Sequence, residues 1–67
     1  MRKPDEMRKA EIMALLKAQT AKMPTGRIAG TIGADYYRTK RLLTELCQAK
    51  EIMVIVETQA LYWKVIK

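Results

Sequence analysis

Sixty-seven residues hold one domain at most, near the lower size limit for folding without disulfide or metal staples. One cysteine (Cys47) and no histidine exclude an intramolecular disulfide framework and a structural zinc site, as befits a reducing, cytoplasmic setting. Thirteen Lys and Arg against seven Asp and Glu leave +6, which favours nucleic acid or an anionic surface as partner, or serves solubility alone.

The chain is 49% apolar, ordinary for a globular protein and too rich for disorder throughout. Residues 1–22 carry six bases and three acids, residues 23–50 five and two, and residues 51–67 two of each, so the basic excess lies in the first two thirds. The longest apolar run, Ile52–Val56, is far short of the roughly 20 residues that span a bilayer. The opening MRKPDEMRKAE is charged where a signal peptide would be apolar, so no membrane or export segment is expected.

Taken in chain order, Pro4-Asp5-Glu6 suits the start of a helix, proline fitting the first turn and the acids complementing the dipole. Ile12, Leu15 and Leu16 recur at helical spacing and predict a first helix over residues 5–19. Lys22-Met23-Pro24 reads as extended, because proline pushes its predecessor out of the α region. Thr25 then reads as the N-cap of a short second helix over 26–32 that buries Ile28, Ala29 and Ile32. Gly33 falls where that helix must stop and the chain must turn, and Asp35 reads as the cap of a third helix over 35–50.

Beyond Glu51 the period changes from 3.6 to 2, and residues 52–66 read as a hairpin closed at Glu57–Ala60 without an Asn-Gly signature. Trp63 alternates with Leu61 and Val65 on one strand face, which predicts core packing for all three. Met13, Met23 and Met53 read as gap-fillers, and Cys47 as a partly buried small hydrophobe.

The third helix carries the interest. With Leu46 at zero on a helical wheel, Asp35, Thr39, Leu42, Leu43 and Lys50 fall within about 60°, and the leucines are the core stripe. Tyr37, Lys40, Arg41, Thr44 and Gln48 lie roughly 120–220° away, while Tyr36 and Arg38 flank the core stripe at about 80°. Lysine and arginine on such a stripe reach phosphates or guanine edges, and glutamine pairs with adenine. A solvated helix face would look the same.

The longer stretch TGRIAGTIGADYYRTKRLL resembles the helix-turn-helix pattern. Ala29 is small where two helices cross, Gly33 makes the turn, and Leu42 anchors the second helix; Thr39 stands where the family more often has valine or isoleucine. A helix-turn-helix followed by two strands resembles the winged-helix family, and the resemblance covers nearly all of residues 1–67. The closing LYWKVIK is similar to a second wing strand, and ADYYRTKRLLTEL to the small FaeA-like regulators of fimbrial operons. Lys50-Glu51 stand where the family commonly has glycine before the first wing strand.

The resemblance implies an α+β winged helix: a three-helix bundle with a helix-turn-helix, a C-terminal β-hairpin and a small three-stranded sheet. It implies that helix 3 enters the major groove with Tyr36, Tyr37, Lys40, Arg41 and Thr44 facing DNA; the wheel supports all but Tyr36 independently. Arg27 at the start of helix 2 and Arg38 on its flank are placed for phosphates, and Gln48 closes the exposed stripe. A short wing with Glu57 at its tip would add little.

The expected function is sequence-specific binding of double-stranded DNA, as in a transcriptional regulator, with Arg41 reading bases and Arg27, Arg38 and Lys40 positioning the backbone. The alternative is a winged-helix protein–protein module, which exposed Tyr37 and a hairpin apolar on both faces would suit equally. Single-stranded nucleic acid stacking on the tyrosines is a third possibility. A homodimer formed through the hairpin or helix 1 would read two half-sites. No enzyme, metal or cofactor is expected: serine and histidine are absent, the acids are scattered, and TGRIAGTIG lacks a Walker lysine and a preceding strand.

Overall fold

The computed structural model describes residues 4–19 and 21–66. Helix α1 runs Asp5–Ala18, with extended Pro4 before it and Asp5 and Glu6 in its first turn. Its Ile12 and Leu16 are buried, four residues apart on one stripe. Strand β1 is only Met23–Pro24, followed at once by α2 (Thr25–Ile32) and, after a turn, by α3 (Tyr36–Gln48). Strands β2 (Ile52–Glu57) and β3 (Ala60–Val65) complete the order.

All strands are antiparallel in the order β1-β3-β2. Met23 pairs with Trp63 and Pro24 with Tyr62, so the proline lies on an edge strand, where its missing N–H costs no ladder bond. Along the hairpin Ile52 pairs with Val65, Val54 with Trp63 and Glu57 with Ala60, leaving Thr58-Gln59 as a two-residue turn. One core unites the parts: Ile12 and Leu16 of α1, Met23 of β1, Ile28 of α2, Leu42, Leu43 and Leu46 of α3, Ile52 of β2 and Trp63 of β3.

Two local expectations are corrected. Thr25 does not cap α2; it is the first helical residue, and its side chain makes no cap bond. Its hydroxyl instead accepts the Trp63 indole N–H at 2.7 Å and reaches the Leu61 carbonyl at 3.5 Å. A buried indole N–H needs a partner, and that demand outweighs the weaker gain of an N-cap. Helix α3 ends at Gln48 rather than Lys50, because Lys50 takes a left-handed conformation with φ 64°. The Glu51 N–H bonds the Leu46 carbonyl at 3.1 Å and the Lys50 N–H the Cys47 carbonyl at 3.0 Å, a Schellman ending with lysine in the seat usually held by glycine. The strained turn absorbs the missing glycine, and the topology is unchanged.

The turn between α2 and α3 uses the residue suited to it. Gly33 has φ 70°, and the Ala34 N–H closes onto the Ala29 carbonyl at 2.9 Å. Asp35 caps α3 by accepting the Arg38 backbone N–H at 3.0 Å.

Candidate nucleic-acid interface

Leu42, Leu43, Leu46 and Thr39 take the buried side of α3, which fixes what the opposite side can offer. Tyr37, Lys40, Thr44 and Gln48 are all exposed there, spaced three, four and four residues apart, so they form one continuous stripe. Tyr37 is 77% exposed. Tyr36 is also exposed, and its ring meets that of Tyr37 edge-on, with centroids 5.3 Å apart and planes at 88°. The two tyrosines therefore form one aromatic ridge at the N-terminal end of α3.

Polar capacity along the stripe is uneven. The Thr44 hydroxyl donates to the Lys40 carbonyl at 2.8 Å, so its proton is spent on its own helix and it faces outward as an acceptor. Among the described residues, the Lys40 ammonium and the Arg27 guanidinium make no ion pair; Arg27 is exposed in the first turn of α2. These are available cations.

The other two basic candidates are engaged. Arg38 turns toward α1 and grips Asp5 with Nε at 3.1 Å and Nη2 at 2.8 Å, its side chain only 12% exposed. Arg41 remains half exposed, but its Nη2 donates to the other Asp5 oxygen at 2.9 Å and its Nη1 to Glu45 at 3.0 Å. Glu45 in turn holds Lys9 of α1 at 2.8 Å. Hydrogen bonds from Arg41 and then Arg38 pull the Asp5 carboxyl below its ordinary range, and Lys9 followed by Arg41 does the same to Glu45. Glu45 raises Lys9, and Asp5 raises Arg41. Both arginines flank the stripe with their forks filled by carboxylates.

Sequence reasoning missed the residues on α1 that organise this side. Asp5 reads along the chain as a dipole-complementing acid, and nothing local ties it to residues 33 and 36 positions away. Only the Arg41–Glu45 pair, four apart on one helix, carries a visible sequence signal. Arg8 is a second omission: its Nη1 donates to the Ile32 carbonyl at 2.6 Å and its Nη2 to the Gly33 carbonyl at 3.3 Å, closing the C-terminal end of α2.

The wing contributes differently from the helix. Glu57 near its tip is ion-paired with Lys22, whose ammonium also lies 4.9 Å from the centre of the Tyr62 ring. Met53, Val54 and Val56 of β2 are exposed, Val56 at 73%.

No protein-family model and no curated protein matches the chain. Solved structures do. The Zα domain of PKZ from Carassius auratus, crystallised in complex with Z-DNA, matches with a TM-score of 0.81 at 22% identity, covering 92% of this chain and 97% of that one. Human N-acetylserotonin methyltransferase, crystallised with SAM, matches with a TM-score of 0.80 at 15% identity over 94% of this chain. The chain spans only 19% of that enzyme's length, so the likeness concerns one segment of it. Three helices and a three-stranded antiparallel sheet in this arrangement are a winged-helix fold. Among the described residues, no helix is long and apolar enough to cross a membrane.

Proposed function

We propose that this winged helix binds double-stranded DNA through α3, laid in the major groove, and acts as a sequence-specific transcriptional regulator of the small FaeA-like kind in the cytoplasm. The observation that carries the reading is the exposed Tyr37-Lys40-Thr44-Gln48 stripe, whose one ammonium has no carboxylate partner among the described residues. Lys40 and Arg27 supply the phosphate contacts; Gln48 and the tyrosine ridge supply base-edge and methyl contacts. Arg41 joins as a base reader once its carboxylates let go. Further support comes from the fold shared with a domain crystallised on Z-DNA.

The test is a titration of labelled duplex at two salt concentrations, with right-handed duplex, Z-form duplex and single strand in parallel. Right-handed duplex should bind most tightly at low salt, and Lys40→Ala should flatten the plot of log K against log salt by about 0.9. Tighter binding of single strand would favour stacking on the tyrosines, and tighter binding of the Z-form would point to recognition of backbone shape. Absence of duplex binding at low salt would sink the proposal.

A second reading rests on the wing. Exposed Met53, Val54 and Val56 suit a protein partner or a second copy of the chain, and light scattering alongside the titration distinguishes self-association from DNA binding.

A further inference from the structure

The engaged arginines carry a consequence for how tightly any polyanion is held. Asp5 uses one oxygen for the fork of Arg38 and the other for Arg41, and Glu45 divides its two oxygens between Arg41 and Lys9. Five charged groups thus sum to +1 where the three bases alone would present +3.

The exposed pairs of Arg41 add little to folding stability, because water already solvates both partners well. Helix α1 is fastened to α3 by the buried Ile12, Leu16, Leu42 and Leu43, not by these ions. What the carboxylates do change is the field met by an approaching phosphate. A phosphate reaching Arg41 must displace an oxygen that already satisfies the same donors, while a second negative charge stays beside it.

We propose that Asp5 and Glu45 act as built-in competitors for nucleic-acid phosphates, holding Arg38 and Arg41 out of non-specific binding and leaving contact to Lys40, Arg27 and the open stripe. The inference rests on the DNA-binding reading and deepens it. General attraction to phosphate is suppressed, and the arginine forks become available only where a duplex offers contacts good enough to replace the carboxylates. Asp5 and Glu45 are then affinity-setting residues that need not touch DNA.

The experiment measures log K against log salt for labelled duplex with the parent protein, Asp5→Asn, Glu45→Gln, the double variant and Glu51→Gln. The last makes the same charge change at an exposed residue outside the network. Each single network substitution should steepen the slope by about 0.9, and the double by about 1.8. Between about 0.2 and 0.05 M salt, that is roughly 3.5-fold and 12-fold more tightening than the parent shows. Glu51→Gln should leave the slope unchanged.

Thermal melting of each variant identifies any that loses its fold, and Glu45→Gln then carries the test if Asp5→Asn does so. Duplex binding with parental slopes in the folded network variants, or equal steepening by Glu51→Gln, overturns the competition while leaving the DNA reading intact. Binding by the variants but not by the parent supports it in its strongest form. No binding by any protein at low salt overturns both.

Discussion

Replacing Thr25 by valine tests the joint between the sheet and the helix-turn-helix. Valine keeps the volume and the branching of threonine, so the change opens no cavity and barely alters helix propensity in the first turn. It removes the acceptor that, among the described residues, serves the Trp63 indole N–H at 2.7 Å, in a place where Thr25 is 3% and Trp63 2% exposed. The longer contact from the hydroxyl to the Leu61 carbonyl, at 3.5 Å, is too weak to matter much. The cost is therefore that of one buried, unsatisfied donor, about 1–3 kcal/mol. For a chain of this size each kcal/mol moves the melting point by about 4–8 °C, so Tm should fall by roughly 5–20 °C. Far-ultraviolet circular dichroism on heating gives the value. The same substitution in a Trp63→Phe background, where the donor is already gone, should cost clearly less. A Thr25→Val protein melting within about 2 °C of the parent, or full additivity in the double mutant, would refute the reasoning.

Lys50→Gly relieves a left-handed lysine at φ 64° and should stabilise by about 0.5–1 kcal/mol, seen as a higher urea midpoint at constant m. Arg8→Met keeps the apolar stem but deletes the donors to the Ile32 and Gly33 carbonyls; equilibrium unfolding should register a loss of about 2 kcal/mol. Because the Asp5 and Glu45 carboxyls are depressed in the folded state, the unfolded chain binds more protons in the acid range. Their contribution is complete above the ordinary carboxylate range and is lost as pH falls through the depressed values. Melting curves should therefore weaken from about pH 5 downward, with a shallower decline in Asp5→Asn.

The fold was legible because its strongest signals are local. The Ile12–Leu16 spacing, Gly33 at a left-handed turn, the Asp35 cap and the change of period after Glu51 are each read within a few residues. Thr25 misled because its competing partner, Trp63, lies 38 residues away, and a cap signal carries no information about a distant indole. The end of α3 misled for a related reason: a lysine carries no local signal for the left-handed turn that Lys50 makes two residues before the buried Ile52. The exposed stripe of α3 follows from the leucine spacing and was readable. Which of its neighbouring cations are free was not, because that depends on Asp5 and Lys9 arriving from another helix.

Arg8 has a mechanical consequence beyond its hydrogen bonds. It sits one turn from Asp5 and beside Lys9, so the first two turns of α1 grip the end of α2 with one side chain and the flank of α3 with two others. Side chains of α1 thus meet both helices that flank the Gly33 turn, on top of the apolar packing that holds the three helices together. A peptide holding only α2, the turn and α3 would keep every residue of the exposed stripe but lose the contacts that α1 makes with both helices. Grafting the stripe elsewhere with those contacts therefore means carrying α1 along with it.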